Sequence, residues 1–179
     1  MLADPRHSRV VLVNLTRGET LASAGLAARY PGLPLLQAGL GLFAVESIVV
    51  GECQSFGKGA TDQLMDPITQ LDGDVLSIWG DHRFTDTLGS SDTGIIFLGG
   101  TWLEEEIFIL ALQGAERGYD VRLLSDLIPA RIEGNRTFVF DRLAVHGILA
   151  TTVRQTLLEW AVCLDDPLLK QKVRQLLSE

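Results

Sequence analysis

Three consecutive glutamates, Glu104, Glu105 and Glu106, stand where an apolar run gives way to an amphipathic one in GGTWLEEEIFILALQGAERGY, residues 99–119. Carboxylates suit the first turn of a helix, because the helix dipole and the unpaired N–H groups there favour negative charge. A carboxylate in the same place can also act as an acid, a base or a nucleophile. Both interpretations of the glutamates are open, and the surrounding elements decide which side chains can join them.

Short apolar runs alternate with helical patterns along the chain. The apolar stretch at residues 9–15, RVVLVNL, is typical of a buried parallel strand. Further strands are predicted at PLLQAG, GDVLSIWG, TGIIFLGG and DVRLLSDL, whereas residues 39–68 show no clear pattern. Helices are predicted at TLASAGLAARY, HRFTDTLGSSD, LEEEIFILALQGAERGY and DDPLLKQKVRQLL. Asp165 or Asp166 is the predicted cap of the last helix, before Pro167 in its first turn. We expect residues 136–164 to begin extended and to continue as one long helix.

This order of elements predicts an α/β fold. We expect a three-layer α/β/α sandwich with a mostly parallel, Rossmann-like sheet, in a single domain over residues 1–179. Sheets of this kind bind ligands at the carboxyl ends of their strands. Candidate chemistry is therefore expected after Leu15, after Gly80 and after Gly100.

Composition limits the class of partner. A formal net charge of −8 with scattered basic residues argues against nucleic-acid binding. No apolar run is long enough to cross a membrane, and the N-terminal run resembles a first strand more than a signal peptide. The two cysteines, Cys53 and Cys163, show no metal-ligand spacing, which suits a reducing compartment, and a cytoplasmic location is expected.

Other motifs are weak. Neither GLGLFA nor SFGKGATD has the spacing of a nucleotide-binding loop, and Ser125 lacks the glycines of a nucleophile elbow. Asp81, His82 and Asp86 could form a His-plus-carboxylate metal site, but loop carboxylates are usually solvated helix caps. We expect no metal and no cofactor. His146 is predicted to be a packed or interfacial histidine.

The segment IIFLGGTWLEEEIFILALQGAERGYDVRLLSDL, together with RVVLVNLTRGE and HGILATTVRQTLLEW, resembles the isochorismatase-like, or cysteine hydrolase, superfamily. In that family an apolar strand ends in Gly, and a turn with a cis peptide leads to the helix that carries the nucleophilic Cys. The helix ends in A-x-x-x-G-Y/F, and the next strand closes in SD. The resemblance covers nearly the whole chain and is weakest at residues 39–68.

The resemblance implies that all three catalytic positions are substituted. Counting back from Gly118 puts Glu106 at the position of the Cys, and Asn14 stands at that of the general-base Asp. No lysine lies near Trp79, where the third catalytic residue belongs, and Lys58 is the nearest in sequence. A carboxylate is a much weaker nucleophile than a thiolate, and a carboxamide takes no proton near neutral pH, so the usual covalent mechanism cannot run.

Two functions remain open. The first is a non-catalytic binding or structural protein, a homo-oligomer such as a homodimer, in which Trp79, Trp102 and Thr101 line the former pocket. The second is a divergent hydrolase of a small amide or vinyl ether that uses Glu106 as acid or base, with Lys58 or His82 as candidate helpers. A small-molecule ligand fits both, and homo-oligomers are what the family resemblance implies.

Overall fold

The computed structural model describes residues 1–17, 29–52, 68–89 and 92–178. Six strands form one parallel sheet with the order β3-β2-β1-β4-β5-β6. The strands are β1 (Ser8–Val13), β2 (Ser47–Val50), β3 (Ile68–Leu71), β4 (Ile95–Gly100), β5 (Asp120–Leu124) and β6 (Leu149–Thr151). β1 pairs with both β2 and β4, so the chain segments that follow these three strands are neighbours in the site described below.

Helices cover both faces of this sheet. They are α1 (Leu33–Phe43), α2 (His82–Gly89), α3 (Phe108–Glu116), α4 (Arg136–Val145), α5 (Val153–Leu164) and α6 (Pro167–Leu176). Alternate residues of β1 face opposite layers, as the two-residue period of a strand requires. Val11 and Val13 pack with α2, α3 and α4, whereas Val10 and Leu12 pack with α1, α5 and α6. The fold is the three-layer α/β/α sandwich that the sequence predicted.

Local signals explain several element boundaries. Asp166 accepts hydrogen bonds from the N–H groups of Leu168 and Leu169, and Pro167 occupies the first turn of α6, which confirms the predicted cap. α5 begins with a capping box between Thr152 and Gln155. Within the described residues, no helix is long and apolar enough to cross a bilayer.

Two predicted strands are wrong. PLLQAG lies inside α1, where Leu33, Leu36 and Leu40 are buried at helical spacing. GDVLSIWG forms a 3-10 helix, Val75–Gly80, because the Asp74 side chain accepts from the Leu76 N–H at its start. The strand that pairs with β2 on the side away from β1 is β3, which was not predicted and which begins where the stretch without a clear pattern, residues 39–68, ends.

The predicted extended start and single long helix of residues 136–164 are also wrong. This stretch contains α4, the short strand β6 and α5 in succession. The break falls at Gly147, whose φ of +79° is in the left-handed region that favours glycine. Exposed His146 ends α4 at this break, and the three-residue strand that follows is too short to give an alternating pattern in the sequence.

Candidate functional site

Asn14 immediately follows β1 and holds the ends of two strands together. Its N–H donates to the Val50 carbonyl at 2.9 Å, and its side-chain Oδ1 accepts from the Glu52 N–H at 3.0 Å. The residue is buried and has a φ of +48°, a conformation that asparagine tolerates better than most side chains. The carboxamide oxygen is therefore used to fix the chain beyond β2.

Glycines allow two close approaches at this edge of the sheet. At Gly51, a Cβ atom would lie 2.1 Å from Oδ1 of Asn14. At Gly100, where φ is +120°, a Cβ atom would lie 2.0 Å from the Val13 carbonyl oxygen. Both positions exclude a larger residue, so the chain after β2 and the turn after β4 pack directly against the end of β1.

The three glutamates lie in a π-helical turn, Leu103–Ile107, which precedes α3 and is interrupted at Glu105. Because of the interruption the three side chains have different surroundings. Glu104 accepts from the N–H groups of Arg131 and Ile132, and Glu105 forms an ion pair with the Arg131 side chain. Glu106 is 9% exposed and lines a cavity at the strand ends. The helix-terminus interpretation alone therefore does not explain all three glutamates.

Arg17 joins Glu106 to the chain after β2. Its guanidinium forms a close ion pair with Oε1 of Glu106, and its Nε donates to Oε1 of Glu52 at 3.2 Å. The Arg17 backbone is fixed as well, because its N–H donates to the Asn14 carbonyl at 3.0 Å. Oε2 of Glu106 is buried and has no hydrogen-bond partner among the described residues. One carboxylate oxygen is paired, and the other is not.

The cavity beside this ion pair has a volume of about 380 Å³, within the range of small-molecule sites. Chain segments that follow β1, β2, β3 and β4 contribute to its wall. The lining residues are Asn14, Arg17, Gly51, Glu52, Gln70, Asp72, Gly73, Asp74, Val75 and Glu106. The structure thus brings Asn14 and Glu106 to one cavity at the predicted edge of the sheet, without a hydrogen bond between them.

The predicted pocket residues Trp79, Trp102 and Thr101 are not part of this cavity wall. Trp79 packs in the core, stacked on Tyr119 and edge-on to Phe84, because the 3-10 helix turns its ring inward. Thr101 is buried and its hydroxyl is hydrogen-bonded to that of Tyr30.

Trp102 lies between two guanidiniums. The Arg29 and Arg131 side chains each lie 4.7 Å from its ring centroid, an arrangement that favours cation–π attraction. The peptide bond between Thr101 and Trp102 is cis, as the resemblance implied. Trp79 and Trp102 were predicted to line a pocket, but neither is among the residues that line the cavity beside Glu106.

Of the two candidate helpers, only His82 belongs to the described residues, and it does not line the cavity beside Glu106. His82 is exposed at the first position of α2 and is absent from the cavity wall. Lys58 lies outside the described residues, as does Cys53. The neighbouring Asp81 caps α2 and pairs with Arg83, whose guanidinium holds the pKa of Asp81 below its usual value. Within the described ranges, no group of three or more His, Cys, Asp or Glu could hold a metal ion.

Arg17 and the loops after β2 and β3 belong to the site but were not predicted from the sequence. Arg17 lies three residues beyond Asn14 and supplies the cation at this site. A basic residue just after a buried strand was a usable signal, because such residues reach the ligand-binding edge of a parallel sheet. The loop at residues 72–75 could not be found, since β3 itself was not recognised. The expected segment after Gly80 does not reach the cavity.

Solved structures share this fold. The MAR1 ribonuclease from Caenorhabditis elegans is similar over 100% of this chain and 93% of its own, with a TM-score of 0.75 and 19% identity. The YcaC gene product from Escherichia coli, an octameric hydrolase of unknown specificity, is similar over 98% and 90%, with a TM-score of 0.72 and 16% identity. An isochorismatase family protein from Burkholderia thailandensis is similar over 89% and 97%, with a TM-score of 0.69 and 13% identity.

The sequence itself matches no protein-family model and no curated protein. The structural likeness spans most of each chain compared. The protein therefore has the isochorismatase-like α/β fold, as its sequence predicted.

Proposed function

We propose that this chain is a small-molecule-binding member of the isochorismatase-like superfamily that does not carry out the covalent chemistry of a cysteine hydrolase. The observation that carries the proposal is the ion pair between Glu106 and Arg17 at the wall of the cavity. A carboxylate oxygen bonded to a guanidinium is already engaged and is a poor attacking group. The side-chain oxygen of Asn14 accepts a hydrogen bond from the Glu52 N–H, and its carboxamide cannot act as a general base.

A second candidate is a hydrolase in which Glu106 acts as a general acid or base on water. It is favoured by one observation, the unpaired Oε2 of Glu106, because a buried carboxylate oxygen without a partner is available to a ligand or a water molecule. YcaC, one of the structural neighbours, is described as a hydrolase. Lys58 remains a candidate helper under this alternative. The exposed position of His82 argues against a helper role for His82.

A panel of small amides and vinyl ethers distinguishes the two candidates. We would assay the native chain beside Glu106→Gln and Glu105→Gln, a matched control from the same turn whose carboxylate pairs with Arg131 instead. The binding proposal predicts no turnover that depends on Glu106. Turnover that is lost in Glu106→Gln and kept in Glu105→Gln would establish the hydrolase and overturn the binding proposal.

The proposal includes self-association into a homo-oligomer. Its support is the octameric assembly of YcaC and the apolar side chains that this chain leaves exposed on α4, α5 and α6. These side chains are Phe138, Val145, Leu158, Val162 and Leu168. Light scattering after size-exclusion chromatography tests it, and a monomer at all concentrations would contradict it.

A further inference from the structure

The cavity beside Glu106 carries an excess of negative charge. Among the described residues that line it are four carboxylates and one guanidinium, which together carry a formal charge of −3 at neutral pH. The guanidinium belongs to Arg17 and is already bonded to two of the carboxylates, those of Glu52 and Glu106. An occupant with a phosphate or carboxylate group would add charge of the same sign, which the field of this wall opposes.

Most of the acidic groups already have partners. Asp74 caps the 3-10 helix through the Leu76 N–H, and Asp72 forms an ion pair with Arg83 at 3.2 Å. Oε2 of Glu106 differs from these, because it is buried and has no partner among the described residues. A buried carboxylate oxygen without a donor is costly, and Glu106 lines this open volume, so an occupant whose N–H group reached Oε2 would remove that cost.

A metal ion fits this wall less well than an organic cation. No set of three or more carboxylate, imidazole or thiolate ligands converges anywhere in the described part of the chain. The cavity volume of about 380 Å³ is also much larger than a bare ion needs and suits a small organic molecule. Charge, hydrogen bonding and volume therefore favour the same class of occupant.

We propose that this cavity binds a small organic cation with N–H donors, such as an alkylammonium or alkylguanidinium, whose charged group pairs with Glu106 and lies among the surrounding carboxylates. This inference rests on the proposed binding function and specifies the chemistry of its ligand. Hydrogen bonds between charged partners in such surroundings are short and strong, and they are selective because a neutral analogue leaves the carboxylate unsatisfied.

The test compares n-butylammonium, butanamide and butanoate, which have chains of the same length and differ in the charge of the head group. Binding is measured by calorimetry and by chemical-shift changes in the intact protein at pH 7 and low salt. We expect the cation to bind more tightly than either analogue by about tenfold or more, with an affinity that falls as salt is added. Glu106→Gln should weaken binding of the cation by about tenfold, and Glu105→Gln should leave it unchanged.

The outcomes separate this inference from the proposal on which it rests. If butanamide or butanoate binds as tightly as the cation, or if Glu106→Gln has no effect, the cationic ligand is wrong and a binding function remains. If none of the three compounds binds, both the proposed ligand class and the proposed binding cavity are wrong. If an amide is hydrolysed in a Glu106-dependent reaction, the binding function itself is overturned. Circular dichroism and thermal unfolding confirm that each variant is folded.

Discussion

Two arginines in this molecule each join a pair of carboxylates, with different results. Arg122 lies within β5 and bonds to Asp120 and Glu159, and it also donates to the Met1 carbonyl. Its side chain is only 7% exposed. Burial alone would lower the pKa of this guanidinium, but Asp120 and Glu159 together raise it above its ordinary value. The cluster around Arg122 is filled by the chain itself.

Arg17 forms the same kind of bridge beyond the end of β1, but its surroundings are open. It bonds to Glu52 and Glu106, and its side chain is 36% exposed. A cavity adjoins this bridge, and Oε2 of Glu106 has no partner among the described residues. An ion pair thus indicates a ligand site only when the protein leaves part of it unsatisfied beside open volume. All three guanidinium nitrogens of Arg122 donate to partners among the described residues, so we interpret this cluster as structural.

The largest effect on stability should follow the loss of Arg122, the buried arginine of the two. Arg122→Ala leaves two carboxylates and a backbone carbonyl without their shared donor, and it also removes buried side-chain packing. We expect the free energy of unfolding to fall by about 3 kcal/mol. Urea denaturation at pH 7 measures this change.

The control is Arg83→Ala, which removes an exposed arginine that also bonds to two aspartates, Asp72 and Asp81. The fall in the free energy of unfolding should be clearly smaller for Arg83→Ala, since exposed ion pairs contribute little to stability. Equal losses for the two variants would show that burial does not separate these clusters.

A double-mutant cycle on Arg17 and Glu106 should give the next largest effect. Arg17→Met leaves a mostly buried carboxylate without its cation, so it should cost more in the native background than in Glu106→Gln. We expect a coupling free energy of about 1–2 kcal/mol. Unfolding curves of the four proteins provide it. Additive effects would mean that the ion pair does not form in solution, and the proposed site would lose its main support.

The sequence was sufficient to predict the three-layer α/β/α fold and part of the candidate site. Asn14 and Glu106 were predicted from the family resemblance, which could be aligned here because the strongly apolar strands β1 and β4 that precede them have a clear pattern. The helix α6 was recognised from its proline and its capping aspartate. These are local features, and local sequence determines them.

What the sequence could not provide depends on contacts between distant segments. Trp79 looked like a pocket residue because it lies near the end of a presumed strand, but packing against Tyr119 and Phe84 makes it a core residue. Arg17 and Glu106 are 89 positions apart, and no local pattern reports that their side chains meet. β3 has only four residues, too few for a period to be evident.

The smallest predicted effect compares two members of the glutamate run. Both oxygens of Glu104 accept hydrogen bonds, Oε2 from Arg131 N–H and Oε1 from Ile132 N–H, whereas Glu106 keeps one oxygen unpaired. Burial raises the pKa of Glu104, but these two N–H groups outweigh it, and the pKa lies below its ordinary value of 4.5. The folded state therefore favours the charged form.

Glu104→Gln should lower the free energy of unfolding by about 1 kcal/mol at pH 7. Because the folded-state pKa is depressed, the native advantage is full above pH 4.5 and is lost as the pH falls through the lower folded value. Asp126→Asn is the control with the opposite sign, since burial raises the pKa of Asp126 above 3.8. The stability of Asp126→Asn relative to the native chain should rise as the pH increases through that raised pKa. If both variants followed the same pH trend, the balance between burial and N–H donors would not be what distinguishes these two carboxylates.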